Sequence, residues 1–300
     1  MKKSNLLAAV ALATTVILGA CAPSTATTTA AGTTAGTTTA AGTTAPTATT
    51  TATPTEVVVG VYGSKHELWD KIKENLAKEN INIKLVEFTD YNTPNIALNS
   101  GDLDLNSFQH HIFFDDWVKK NNADLVSVGD TFLSPIGLYS QKYKTVAEIK
   151  SGDEIAIPSD PTNLGRALRV LESAGLIKLK DPTNLAPGQE DIVENSLNLK
   201  ITELDAAQIP RSLADLAAAI INTDIAVDAG FSPADDSIFL EPVTDGSQPY
   251  FNLIAAQASK KDDPTVKKIV AAYQTQEIGE LMLEVYKGAQ FPVWEGFVKK

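Results

Sequence analysis

The chain has 300 residues, 43% of them apolar and 21% charged, enough to bury a core in one large domain or in two lobes of roughly 100–120 residues each. The formal net charge is −12 and the pI is near 4.7. An acidic surface with no basic stripe between aromatics argues against a nucleic-acid groove. A single cysteine, Cys21, excludes an internal disulfide.

In chain order, Lys2 and Lys3 form a charged start. An apolar run from Leu6 to Ile17 follows, broken only by Thr14 and Thr15, and then Leu18-Gly19-Ala20-Cys21. The run is too short to span a bilayer comfortably and reads as a secretory signal, residues 1–20. Small residues just before a cysteine resemble the lipobox of bacterial lipoproteins. That resemblance implies diacylglycerol on the Cys21 sulfur, cleavage before it, and anchoring through fatty chains such as palmitate at the extracytoplasmic face of the cell membrane; the alternative is an ordinary signal with a chance cysteine. Residues 21–55 are Cys21 followed by almost nothing but Thr, Ala, Gly and Pro. Such a segment cannot bury enough apolar surface to offset its ordering entropy, so it predicts a flexible tether with a mean span of roughly 30–35 Å.

The folded body is predicted to start at Glu56. Val57 to Val61 reads as a buried strand, and Leu68, Ile72 and Leu76 recur at the spacing of one helix face. Ile81, Ile83 and Leu85 alternate as in a second strand, completing a βαβ unit. Pro94–Leu98 predicts a short helix, Leu103–Phe108 a strand, Phe113–Lys120 a helix, and Leu125–Val128 and Pro135–Tyr139 strands. A second cycle opens with a strand at Glu154–Ile157 and a strong helix from Asn163 to Ala174, then a strand at Lys200–Leu204 and a helix at Leu213–Ile220. Strands at Ile238–Val243 and Phe251–Ala255 and helices at Pro264–Tyr273 and Glu277–Tyr286 close the chain. Alternating β and α predicts an α/β architecture, either one wide doubly wound sheet or two lobes joined by crossing segments. If Pro135–Tyr139 and Glu241–Asn252 cross, residues 56–138 plus 246–300 form lobe 1 and 139–245 form lobe 2. A cleft then lies between them, a usual place for a small ligand.

The chain has no G-x-S-x-G elbow and no phosphate loop. Its three histidines are His66, His110 and His111. Adjacent histidines on a strand face opposite ways, so His110 and His111 are a poor chelating pair and no metal site is assigned. No catalytic residue, cofactor or enzymatic role is assigned either.

Binding features are clearer. Asp160-Pro161-Thr162-Asn163-Leu164-Gly165-Arg166 reads as a helix start, with Asp160 or Thr162 as cap and Pro161 in the first turn. A helix start favours an anion, and Arg166 in or near its first turn adds a two-pronged clamp for a carboxylate. The alternative is a surface arginine paired with an acid such as Asp160. Phe108-Gln109-His110-His111-Ile112-Phe113-Phe114 is either core or a cleft wall that grips a thioether or aliphatic chain. Tyr91 lies in a polar loop after a strand. Asn222 and Asn252 sit at element edges, where each is either a turn or cap residue or a ligand contact.

These segments carry a resemblance. Glu87-Phe88-Thr89-Asp90-Tyr91 with Pro94-Asn95, Gly101 to His110, Pro158 to Arg166, Gln208-Ile209-Pro210-Arg211-Ser212, Ile221-Asn222-Thr223 and Pro249 to Leu253 are similar to the methionine-binding lipoproteins of ABC importers (NlpA/MetQ type). The resemblance covers about residues 57 to 287. It implies a two-lobed, periplasmic-binding-protein-like fold of type II with ligand in the interlobe cleft. It implies L-methionine as ligand and an ABC permease with its ATPase as partners. Arg166 would hold the ligand carboxylate with Asn163 near it, Asn222 and Asn252 the amino-acid head group, and Tyr91, Phe108 and His110 would line the side-chain pocket. Many members carry Tyr three residues after the His of Phe-Gln-His; here Phe113 stands there, which removes a hydroxyl from the pocket if the ring points inward. Other roles for such a chain are capture of another apolar amino acid or of a methionine-containing dipeptide, and surface interaction through a tethered body.

Overall fold

The structure, a computed structural model, describes residues 53–299. The expected signal peptide, Cys21 and the tether up to residue 52 lie outside the described residues.

The chain begins with β1 (Thr55–Tyr62), α1 (Glu67–Ala77), β2 (Ile81–Phe88), α2 (Thr93–Ser100), β3 (Leu105–His110), α3 (His111–Asn121) and β4 (Leu125–Leu133). Next come β5 (Gly137–Tyr139), β6 (Glu154–Pro158), α4 (Pro161–Ser173), β7 (Lys178–Leu179), β8 (Ile192–Glu194), β9 (Lys200–Leu204), α5 (Ile209–Ser212), β10 (Ala218–Ile221), α6 (Thr223–Asp228), α7 (Pro233–Asp236) and β11 (Ser237–Leu240). It ends with β12 (Phe251–Gln257), α8 (Pro264–Tyr273), α9 (Gln276–Val285) and β13 (Phe291–Pro292).

Two sheets result. The first has the order β13-β4-β12-β3-β1-β2, and the second β11-β5-β10-β6-β9. β1 runs parallel to β2 and β3, as βαβ connections require, while β12 returns antiparallel between β3 and β4. The chain leaves the first sheet at Leu133, enters the second at Gly137, and returns between Leu240 and Phe251. The two crossings lie side by side, since the Ile136 N–H donates to the Glu241 carboxylate at 3.1 Å and Glu241 N–H to the Ile136 carbonyl at 2.9 Å.

Each sheet is covered on both faces. In the first, Val57, Val59 and Val61 pack with Leu68, Ile72 and Leu76 of α1 and with Ile269, Ile278 and Met282 of α8 and α9. On its other face Leu253 and Ala255 pack with Leu98 of α2 and Phe114 of α3. In the second, Ile155, Ile157 and Ile220 meet Ala167, Leu168 and Leu171 of α4. Ala156, Ala219 and Ile221 face Ile209 and Ile225 on the opposite side.

That double cover explains one correction. Leu213–Ile220, expected as a helix, is a single 3₁₀ turn at Leu213–Asp215 followed by strand β10. A central strand buried on both faces is apolar at every position, so its run carries no period of two and looks like a buried helix. Other shifts are small. The strand expected at Ile238–Val243 stops at Leu240, β3 runs on to His110, and His111 opens a helix rather than continuing the strand. Gly165 allows one close approach beside the site: a Cβ there would lie 2.6 Å from the Ala186 Cα, so the loop over α4 packs directly on the helix backbone.

Candidate functional site

The C-terminal ends of β3, β4 and β10, the start of β12 and the first turns of α4 converge on one cavity between the sheets, where α/β folds usually bind ligands. Its atom-free space, including the mouth, is about 400 Å³. All seven residues expected to touch a ligand line it: Tyr91, Phe108, His110, Asn163, Arg166, Asn222 and Asn252.

Local structure sets each side chain. Asp160 caps α4, accepting from the Asn163 N–H at 2.9 Å, and also takes the Asn163 Nδ2 at 3.0 Å. The helix start is thus already satisfied by an acid. Arg166 is the sixth residue of α4, beyond the free N–H groups of the first turn. It acts through its side chain instead. It is only 2% exposed, so neither the surface position nor the Asp160 partner weighed from sequence applies. Its Nε donates to both Glu241 oxygens at 3.0 and 3.2 Å, and its Nη2 to Glu241 Oε2 at 2.6 Å and to the Ser134 carbonyl at 2.8 Å. The guanidinium also stacks on the Tyr250 ring, 4.4 Å from its centroid. Nη1 makes no hydrogen bond to any described residue and remains for a ligand anion.

Opposite stands a chain of polar groups with fixed directions. His110 ends β3, and its Nδ1 accepts the Phe113 N–H at 3.2 Å. The proton therefore sits on Nε2, which donates to Asn163 Oδ1 at 3.2 Å. Burial, reinforced by the Arg166 charge, pushes the His110 pKa down to about 3, so the ring is neutral at ordinary pH. Asn163 Oδ1 also accepts from Asn222 Nδ2 at 2.9 Å. That bond fixes the Asn222 amide and leaves its Oδ1 buried with no hydrogen-bond donor. Ser134 Oγ is in the same condition, and both residues line the cavity. An unpaired buried polar atom costs about 1–3 kcal/mol, so both positions call for a partner. Asn252 lies opposite His110 in the β12–β3 register and adds a further amide.

Three rings close the remaining side. Tyr91, Phe108 and Phe113 lie 6.0–6.1 Å apart, centroid to centroid, in tilted and edge-on pairs. Phe113 points inward and lines the cavity, so the hydroxyl that a tyrosine would carry is absent from it. The Tyr91 hydroxyl donates to Asp224 Oδ1 at 2.7 Å, tying the β2–α2 loop to α6. Burial and the Asp224 charge hold that phenol well above its ordinary pKa, so it remains a donor.

Sequence reasoning missed Asp224, Ser134 and Thr223 in the lining and Glu241 as partner of Arg166. Asp224 follows Asn222-Thr223 as an ordinary helix-start residue, and Glu241 is 75 positions from Arg166; no local pattern marks either. His111, half-exposed, pairs with Asp130 at 2.7 Å and does not join His110. Among the described residues, no group of three or more His, Cys, Asp or Glu side chains is placed to hold a metal ion.

Two sheets with a buried arginine, oriented amides and aromatic rings facing across the cleft define a two-lobed substrate-binding protein. The chain belongs to the NlpA lipoprotein family, which matches residues 57–294. It is 46% identical over 245 residues to the D-methionine-binding lipoprotein MetQ of Salmonella typhi, covering 80% of this chain and 89% of that one. A nutrient-binding protein from Burkholderia cenocepacia, solved bound to methionine, superposes with a TM-score of 0.75 at 45% identity, over 79% of this chain and 100% of that one. The substrate-binding protein of a methionine transporter from Streptococcus pneumoniae gives 0.76 at 40% identity, over 80% and 96%.

Proposed function

We propose that this protein captures methionine, in the first place L-methionine, outside the membrane and delivers it to an ABC permease driven by its ATPase. The observation that carries the reading is the pairing of an unused Arg166 Nη1 with an unpaired Asn222 Oδ1 in one aromatic-lined cavity. An α-amino acid presents a carboxylate and an ammonium on one carbon, and those two groups match the two vacancies. Asn163 holds Asn222 in place through its Oδ1, while Asn252 adds a second amide to the head group. Tyr91, Phe108 and Phe113, with the neutral edge of His110, surround an unbranched thioether, and sulfur–aromatic contacts add about 0.3–1.5 kcal/mol. The names of the relatives and the methionine in the Burkholderia structure support the same ligand class.

The role is capture rather than catalysis: both nitrogens of the one histidine in the cavity are occupied and its ring stays neutral. Residues 55–133 plus 251–299, which carry the first sheet, act as one lobe and 137–240, which carry the second, as the other, so the boundaries expected at 138/139 and 245/246 move to the two crossings. Cys21 carries the lipid that holds the body at the membrane, and the lipoprotein names of the relatives support this. No helix among the described residues is long and apolar enough to cross a bilayer.

The test is calorimetry on the full chain after its ligand has been removed by unfolding and refolding. L-methionine, D-methionine, leucine and a methionine-containing dipeptide are compared. Saturable binding of methionine, with a stability gain of about 2.7 kcal/mol at a hundred times Kd, is expected. Absence of heat and of any melting shift with methionine refutes the reading.

A further inference from the structure

A second cavity lies on the side of the first sheet. It is bounded by the C-terminal ends of β1 and β4, by β3, by the start of α1, and by residues at the end of α8 and just past α9. Its atom-free space, including the mouth, is about 480 Å³, within the roughly 300–1,000 Å³ of small-molecule pockets. Phe108, Phe132 and Asp224 are common to this cavity and the interlobe one; the rest of its lining is separate. Six rings line it: Tyr62, Trp69, Phe108, Phe132, Tyr273 and Tyr286. Trp69 and Tyr273 meet edge-on, their centroids 5.5 Å apart. Burial holds the phenols of Tyr62, Tyr273 and Tyr286 well above their ordinary pKa, so these rings stay uncharged.

One lining residue does not suit an apolar space. Helix α9 ends at Val285, and Lys287 and Gly288, at φ of 49° and 78°, reverse the chain. Gln290 thus arrives inside the lobe, immediately before Phe291 pairs with Leu133 of β4. It is 2% exposed and lines the cavity. Its Oε1 has no hydrogen-bond partner, and no described residue is hydrogen-bonded to its Nε2. An apolar side chain would fill this position without a polar cost, whereas a buried carboxamide calls for a partner at both its donor and its acceptor. Those two groups lie side by side in one plane. Their complement is an N–H beside a C=O on a flat ring, the edge of a cyclic amide. Lys65 and Asp224, of opposite charge, also line the cavity, so neither an anion nor a cation is favoured.

We propose that this cavity is a second ligand site, which takes a small, planar, uncharged cyclic amide whose adjacent N–H and C=O pair with the Gln290 carboxamide while its ring lies among the aromatic side chains. The inference does not depend on the identity of the ligand in the interlobe cavity.

The probe is 2-pyridone, and the control is N-methyl-2-pyridone, in which the donor is blocked. Each is titrated by ligand-observed NMR into the full chain, with and without saturating methionine. 2-Pyridone is expected to bind saturably in both states, and the methylated form about 10-fold more weakly or worse, as the loss of paired hydrogen bonds implies. Gln290→Met keeps the length and removes the amide. It is expected to fold with at least wild-type thermal stability, to leave methionine affinity unchanged, and to weaken 2-pyridone by about 10-fold or more. Absence of saturable 2-pyridone binding to wild type, or equal affinity for the two pyridones, overturns the proposal whether or not the variant folds. So does a folded Gln290→Met that binds 2-pyridone as wild type does. Displacement of 2-pyridone by methionine puts the probe in the interlobe cavity and overturns it as well.

Discussion

Replacing Glu241 with glutamine separates the structural from the binding role of Arg166. In the structure the carboxylate receives three contacts from the guanidinium at 2.6–3.2 Å and a backbone N–H from Ile136 at 3.1 Å. Glutamine keeps the shape, removes the charge and turns an NH₂ toward one of these donors. Arg166 is 2% exposed and Glu241 15%, so solvent screens the loss only slightly. Breaking a buried pair from one side costs about 3–5 kcal/mol. The residual exposure of Glu241 places this case near the lower end, about 3 kcal/mol. For a body of this size that lowers the melting temperature by roughly 6–12 °C. Ligand binding then partly reverses the damage, because the methionine carboxylate brings a negative charge to the same guanidinium. The assay is thermal unfolding of wild type and Glu241→Gln by circular dichroism, with and without saturating methionine. The free variant is expected to melt earlier, and its ligand-induced shift to exceed that of wild type. A free-form melting point within 1–2 °C of wild type, together with an unchanged ligand shift, refutes the charge-balance argument.

Three further outcomes are expected. Asn222→Ala removes the acceptor for the ligand nitrogen, and a hydrogen bond to a charged group is worth about 1.5–3 kcal/mol, so the methionine Kd measured by calorimetry rises by roughly 10- to 150-fold. His110 is depressed to about 3 in the folded protein, against 6.5 for a free histidine. The unfolded chain therefore takes up the extra proton first, and stability falls as pH drops from about 6.5 toward 3. Between pH 7.5 and pH 5 the loss from this group is about 2 kcal/mol; urea unfolding at both values should show it in wild type and show less in His110→Asn. Cys21→Ala is expected to move the protein from the membrane fraction to the soluble fraction on centrifugation of cell lysates, and retention in the membrane pellet argues against a lipid on that sulfur.

Much of the fold was legible because its elements obey simple periods. The helix of Leu68, Ile72 and Leu76 packs on the first sheet as its four-residue spacing requires. Asp160 and Pro161 open α4 where a cap followed by proline predicts a start. The reading failed at β10, where burial on both faces erases the alternation that distinguishes a strand. It also placed Arg166 too near the helix start, since cap and proline locate the first residue but not where a long side chain further along will reach.

Residue types and their local spacing were enough to mark the α/β alternation, and the family resemblance singled out the seven side chains that line the cavity, because each depends on neighbours close in the chain or on a run of resembling residues. Only the tertiary structure decided the charge balance: Glu241 against Arg166, Tyr91 against Asp224, and Asn163 holding Asn222 so that one oxygen is left bare. Electrostatic and hydrogen-bond partners are selected by distance and desolvation in space. The folded chain brings together groups 59 to 133 positions apart, and no sequence period records which of them will meet.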